Sequence, residues 1–237
     1  MVATKKESSN ETSNQGKKIK VCKNGPYLVS AGIPLTKQTI ISNAEGIAYE
    51  WRADSIPALE ALTDEDYTLC RCGRSYNKPF CDGTHLLVNF DGTETASREN
   101  YLDEAEKTVG PALTLTDVLK LCANARFCAL AGGTWDLAQR SDDPEAKRMA
   151  IEEAGNCPAG RLVVWDTEGN AIEPEFEPSI GLVEDPYVGV SGPLWVRGCI
   201  PIESADGTTY EIRNRVTLCR CGKSFNKPFC DSSHENE

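Results

Sequence analysis

From Ile19 onward the chain runs as short apolar stretches punctuated by Gly, Pro, Asn and Asp, the pattern of brief strands joined by tight turns. One stretch is written twice. Gly25-Pro26-Tyr27-Leu28-Val29 with Ile33-Pro34 returns as Gly192-Pro193-Leu194-Trp195-Val196 with Ile200-Pro201. Tyr49-Glu50-Trp51-Arg52 and Tyr210-Glu211-Ile212-Arg213 offer a further match downstream of each. These stretches predict strands of a small antiparallel sheet. The pattern changes between about Leu113 and Val188. Thr114 or Thr116 can cap a helix through Arg126, with Leu115, Val118, Leu119 and Cys122 spaced to share one face. Asp143-Pro144 opens a second helix to about Glu153, with acidic residues in its first turn and Gly155 as a stop. Arg161-Leu162-Val163-Val164-Trp165 predicts a strand. Residues 1–18 are polar and predict a disordered tail.

Composition narrows the setting. The 237 residues include eleven cysteines, an odd number, and joining neighbours within a C-x-C as disulfides would be strained. A reduced, cytoplasmic location fits better than a secreted disulfide framework. The N-terminus has charge but no apolar core of a signal, and no stretch approaches the roughly 20 apolar residues of a membrane span. A net charge of −11 argues against sequence-independent nucleic-acid binding, which needs a basic surface.

Both histidines close near-copies of one cysteine-rich segment. Leu69 to His85 reads LCRCGRSYNKPFCDGTH and Leu218 to His234 reads LCRCGKSFNKPFCDSSH, identical at thirteen of seventeen positions. Each supplies three thiols and one imidazole: Cys70, Cys72, Cys81 and His85, then Cys219, Cys221, Cys230 and His234. Such soft donors suit zinc or an iron-sulfur cluster. A tetrahedral zinc site needs the same atoms. Iron-sulfur is favoured here, because the donors crowd into one short segment and a two-iron cluster spreads four ligands over two metals. Asp82 and Asp231 suit turn positions that accept local backbone hydrogen bonds, or could orient the neighbouring ligands. Lys78 and Lys227 flank the loops and either tune their charge or are simply solvated. The four tryptophans, Trp51, Trp135, Trp165 and Trp195, are expected in the core or shielding the metal.

The pattern C-x-C-x2-S-x3-P-x-C-D-G-(S/T)-H resembles the CDGSH iron-sulfur domain, which implies a [2Fe-2S] cluster on three Cys and one His. Ser75, Pro79, Asp82, Gly83 and Thr84 match it in the first copy. The second copy has Ser232 in place of the glycine, a cost of about 1 kcal/mol if φ is positive there. Single-unit members of that family are typically homodimers with intertwined strands. Two units in one chain therefore imply an internal pseudo-dimer within a monomer.

Three further cysteines lie between the copies. Cys122 and Cys128 are separated by five intervening residues, and Cys157 opens a Cys-Pro-x-Gly element. This segment resembles the divergent four-iron mono-cluster domain, with Ala125 at the position of the missing central ligand. Three thiols imply a [3Fe-4S] cluster, or a [4Fe-4S] cluster with an outside fourth ligand; the alternative is that Cys122 is a buried small hydrophobe. Cys199 and Cys22 are the spare thiols. Cys199 aligns with Gly32 of the repeat and Cys22 reads first as a strand residue, so neither is the favoured fourth ligand.

The expectation is an α+β protein. Residues 19–95 form a first β unit and 189–237 a second, around a ferredoxin-like segment of about two helices at 96–188. With no phosphate-binding Gly-rich loop and no Ser-His-Asp set, an enzyme in its own right is not expected. Electron transfer with a redox partner protein is favoured, against cluster storage or transfer to an apo-acceptor, redox sensing, or a zinc-stabilised interaction protein.

Overall fold

The computed structural model describes residues 16–54 and 65–236. Most of the tail expected over residues 1–18 lies outside them. In chain order the elements are β1 (Ile19–Val21), β2 (Tyr27–Val29), β3 (Leu35–Ser42), β4 (Ala48–Asp54), β5 (Tyr67–Leu69), α1 (Thr84–Leu87), α2 (Tyr101–Glu104), β6 (Glu106–Val109), β7 (Thr114–Asp117), α3 (Thr134–Gln139), α4 (Pro144–Gly155), β8 (Leu162–Trp165), β9 (Ala171–Ile172), β10 (Ser179–Asp185), β11 (Val190–Arg197), β12 (Ile202–Glu203) and β13 (Arg215–Leu218). The class is α+β. Among the described residues no helix is long and apolar enough to cross a membrane.

The two halves exchange strands. One sheet has the order β12-β1-β2-β5 and the second β13-β11-β10-β3-β4. In the first, β12 from the far half pairs in parallel with β1 at Ile19 and Ile202; in the second, β3 from the near half pairs in parallel with β10 at Leu35 and Ile180. Each exchange begins with an equivalent bond, Ile19 N–H to Pro201 O and Ile180 N–H to Pro34 O, both 2.9 Å. The repeated Ile-Pro pairs are thus the crossover points. A proline cannot donate to the sheet it leaves, but its carbonyl is free to start the next ladder. The main core is shared accordingly, with Ile19, Tyr27, Leu35 and Leu69 packing with Ile180, Leu194, Val196 and Leu218.

The other repeated tetrapeptide is not a structural repeat. Tyr49 lies in β4 and is exposed, whereas Tyr210 lies in an irregular segment, buried, with its ring edge-on to Phe229. The long hairpin of β3 and β4 has only a stub opposite it, the bridge of Glu203 to Thr209.

The central segment builds its own antiparallel sheet, β6-β7-β8-β9. The helix expected over Thr114–Arg126 does not form. Thr114–Asp117 is paired on both sides, Thr116 with Lys107 and with Val163, and Leu119, assigned to the buried face of that helix, is 69% exposed. Threonine loses χ1 freedom in a helix and packs well on a pleated surface. The second helix does form, with Asp143 Oδ1 accepting from Glu145 N–H at 3.1 Å and Pro144 in the first turn. The expected strand is β8. A second helix of the segment, α3, arises instead after Gly133. β10, which falls inside the 96–188 segment of the sequence reading, belongs to the second β unit.

Candidate metal centres

Strand β5 delivers Cys70 to the first loop, and β13 delivers Cys219 to the second. The loops close by matching bonds. Cys70 N–H donates to Pro79 O and Cys219 N–H to Pro228 O, both 2.8 Å; Cys81 N–H donates to Thr68 O at 3.0 Å and Cys230 N–H to Thr217 O at 2.9 Å. Ser75 Oγ donates to Phe80 O at 2.6 Å and Ser224 Oγ to Phe229 O at 2.7 Å. Asp82 accepts from the N–H groups of Tyr76 (2.8 Å) and Thr84 (3.0 Å), and Asp231 from those of Phe225 (2.7 Å) and Ser233 (3.1 Å). Those bonds, led by Thr84, hold Asp82 down to about 2. The glycine position has positive φ in both copies, 86° at Gly83 and 70° at Ser232.

The donors come in pairs. Cys70 and Cys72 sulfurs are 3.8 Å apart and Cys219 and Cys221 sulfurs 3.6 Å; Cys81 Sγ lies 3.3 Å from His85 Nδ1 and Cys230 Sγ 3.5 Å from His234 Nδ1. Among the described residues, no three His, Cys, Asp or Glu side chains converge on a single point. Paired donors suit two neighbouring metals better than one tetrahedral ion. Burial pushes the Cys230 and Cys72 thiols up and His234 down, and the contact between their sulfurs holds Cys219 low and Cys221 high. Without a metal Cys72, Cys221 and Cys230 therefore keep their protons, which a bound cation would release by stabilising the thiolates.

Two residues that the sequence reading passed over hold these loops in place. Arg71, between Cys70 and Cys72, is 2% exposed and donates to Gly25 O (2.8 Å) and Cys22 O (3.0 Å). Arg220 does the same between Cys219 and Cys221, donating to Gly192 O (2.5 Å), Val183 O (2.7 Å) and Glu184 Oε1 (2.8 Å). Cys22 therefore occupies the place of Val183, a packing position. The repeated Gly-Pro follows from this docking, since a Cβ on Gly25 would sit 3.2 Å from that of Cys22 and one on Gly192 2.9 Å from Val183 Cγ1.

The two loops meet back to back through the glycine that follows each C-x-C. A Cβ on Gly73 would lie 2.5 Å from Cys221 O, and one on Gly222 2.7 Å from Cys72 O. Only hydrogen fits at that contact.

The three central cysteines line one cavity of about 230 Å³ with Ala125, Arg126, Phe127 and Arg161. A single water needs roughly 10–15 Å³. Cys122 follows the 3-10 turn Leu119–Leu121, Cys128 lies within the turn Phe127–Ala129, and Cys157 follows α4. Glu153 of α4, buried, braces the Cys128 turn by accepting from Ala131 N–H (2.5 Å) and Thr134 Oγ1 (2.7 Å). Burial, with Cys157 nearby, pushes Cys128 up to about 11. Arg161 supplies a cation: burial works against its charge, but Asp117 holds it through Nε (2.6 Å) and Nη2 (2.7 Å) and Cys122 lies nearby, so its affinity for its proton rises. Arg215 donates to Cys157 O at 2.7 Å, and Gly160 completes the Cys-Pro-x-Gly turn with φ 55° where a Cβ would lie 2.9 Å from Arg215 O. Neither Cys199 nor Cys22 lines this cavity. Cys199 has φ 58°, matching Gly32 at 73°.

The cavity stands against the second loop. Cys230 packs in one apolar cluster with Ala123 and Ala159, joined by Leu121 and Cys157. Phe127, on the cavity wall, is backed by Trp51, which stacks on it at 4.8 Å and meets Trp195 at 4.7 Å.

Residues 24–86 and 191–235 match the family model described as an iron-binding zinc finger of CDGSH type. Residues 108–167 match the one described as a divergent 4Fe-4S mono-cluster. No curated protein and no solved structure matches the chain.

Proposed function

Because the chain is an iron-sulfur protein with two CDGSH units around a divergent 4Fe-4S mono-cluster segment, we propose that it is an electron carrier rather than an enzyme, exchanging single electrons with a redox partner protein in the cytoplasm. One [2Fe-2S] cluster rests on Cys70, Cys72, Cys81 and His85 and another on Cys219, Cys221, Cys230 and His234. A [3Fe-4S] or [4Fe-4S] cluster rests on Cys122, Cys128 and Cys157. A bound cluster supplies one-electron exchange at a potential set by its ligands, neighbouring hydrogen bonds and solvent exposure.

The observation that carries this reading is contiguity. The first loop abuts the second through Gly73 and Gly222, and the second shares an apolar wall with the central thiols at Cys230. Cargo sites that act separately have no need of such contacts, whereas electron exchange falls off steeply with distance. The residues contribute in distinct ways. Neutral Nδ1 of each histidine replaces a thiolate and so raises the potential relative to an all-cysteine set. Arg161 places a cation beside Cys122 and Cys128 and offsets their charge, while Arg71 and Arg220 hold the C-x-C segments in place. The apolar wall around Cys230 excludes water.

Anaerobic purification with iron, zinc and acid-labile sulfide determined per chain tests the reading. About seven or eight irons with matching sulfide, reduced and reoxidised without loss, is the expected result. About two zincs and no sulfide would replace it with a zinc scaffold.

A further inference from the structure

One face of the second sheet carries residues that the metal centres do not use. Gln38 of β3, Trp51 of β4, and Trp195 and Arg197 of β11 line a cavity of about 510 Å³ together with Phe176 and with Asn156, which follows α4. Small-molecule sites span roughly 300–1,000 Å³. Gly181 of β10 stands in register with Trp195, and a Cβ there would come 2.6 Å from Gln38 Cγ, so glycine makes room for the Gln38 side chain.

The walls are aromatic and the polar groups are unspent. Trp195 meets Trp51 at 4.7 Å and Phe176 edge-on at 5.7 Å. Arg197 lies over the Trp195 ring at 4.7 Å. Its Nε and Trp195 Nε1 are buried with no hydrogen-bond partner among the described residues. Burial alone lowers the affinity of Arg197 for its proton, with no carboxylate offsetting it. Glu152 and Glu173, also on the lining, are committed to Arg148 (2.8 Å) and Arg215 (2.5 Å). Gln38, 3% exposed, donates from Nε2 to Thr36 Oγ1 at 3.0 Å, and its Oε1 accepts from no described residue. A half-buried guanidinium without a counter-charge is unfavourable, and a bound anion relieves it.

We propose that this cavity binds a planar heteroaromatic carboxylate: the ring lies among Trp51, Trp195 and Phe176, the carboxylate meets the Arg197 guanidinium, and a ring N–H donates to Gln38 Oε1. Trp51 also stacks on Phe127, which lines the cavity of the three central thiols, so one aromatic pair joins the two sites. Binding itself needs no cluster there.

The test is equilibrium dialysis of the full chain, as purified without oxygen, against indole-3-acetate and against its neutral analogue indole-3-acetamide. One acetate per chain should bind saturably below about 1 mM, about tenfold or more tighter than the amide. Arg197→Met should weaken the acetate to the level of the amide and leave the amide unchanged, whereas Arg197→Lys, which keeps the charge, should retain most of the preference. Gln38→Leu should weaken both probes by the same factor. Cooperative unfolding in urea checks that each variant is folded. No saturable binding, equal affinity for acid and amide in the unaltered chain, or a preference that survives Arg197→Met would overturn the site. Iron and sulfide determined on the same sample keep the two readings apart: sulfide missing from a chain that binds the acetate defeats only the iron-sulfur reading, and a loaded chain that binds neither probe defeats only this site.

Discussion

Gly73→Ala is a sensitive probe of the back-to-back contact between the loops. The new methyl would sit 2.5 Å from Cys221 O and 2.9 Å from its carbonyl carbon, backbone atoms that cannot rotate away. Alanine at φ 72° costs about 1 kcal/mol by itself. Forcing the two loops apart adds overpacking strain of about 1–3 kcal/mol. The sum is about 2–4 kcal/mol. With a urea slope of roughly 2–3 kcal/mol/M, the midpoint of unfolding falls by about 1 M. Gly83→Ala is the control, because its φ of 86° is equally unfavourable while nothing lies within 4 Å of the new methyl. It should fall by only about 0.3–0.5 M. Unfolding of the loaded chains is followed anaerobically by tryptophan fluorescence and by the visible band of the clusters. If the two variants lose the same amount, the loops are not in contact at Gly73, and the contiguity on which the electron-transfer reading rests goes with it.

Ser232→Gly should raise the stability by up to about 1 kcal/mol, read as a higher urea midpoint, since it relieves a serine at φ 70°. Cys157→Ser should remove about three or four irons and leave about four with their sulfide, read by metal analysis; loss of all iron would show that the centres do not load independently. Arg71→Leu should cost about 2–4 kcal/mol by leaving the carbonyls of Gly25 and Cys22 without their donor, and should deplete iron from the first loop before the second, seen as about two irons lost per chain. Acidification should bleach the CDGSH clusters as protons compete with iron for the ligand imidazoles, the second at lower pH than an exposed imidazole would need because burial pushes His234 down, with His85→Cys and His234→Cys slower to bleach. Asp82 is not the cause of that loss: its carboxyl is depressed from 3.8 to about 2, so its contribution is complete above the unfolded value and fades only as pH falls through about 2. Equal bleaching of the cysteine variants would remove the histidines from the explanation.

The metal loops were legible because what shapes them is local. Within seventeen residues the sequence writes the donors, the aspartate that accepts from the turn, and the position that needs positive φ, where Ser232 departs from the pattern. The destination of each strand was not written locally. β3 would look the same whether it paired within its own half or, as it does, with β10 of the other, so the Ile33-Pro34 and Ile200-Pro201 repeats showed that a junction exists but not where it leads. β10 went to the wrong segment for the same reason. The false helix over Thr114–Arg126 came from reading Leu115, Val118, Leu119 and Cys122 as one face, when Leu115 is buried as a strand residue and Leu119 faces solvent. Arg71 and Arg220 carried a signal that went unused. Arginine is retained in both copies at that position while the neighbouring basic residue changes from Arg74 to Lys223, but arginine is so commonly a surface residue that a buried structural one is not the first reading.

The strand exchange has a consequence for how the chain comes into being. Lys18 and Glu203 are 185 residues apart and pair at the join of β1 and β12. While the chain is being synthesised, the sheet that presents Cys70 lacks its last strand until nearly the whole protein has left the ribosome, and β3 waits for β10 across the whole central segment. The central segment, whose strands and helices are all its own, can fold in that interval; the first loop, although its cysteines emerge earliest, reaches its final form late. Maturation therefore runs against sequence order, and a chain interrupted before Ile202 carries the first loop's four donors without the completed sheet that fixes them.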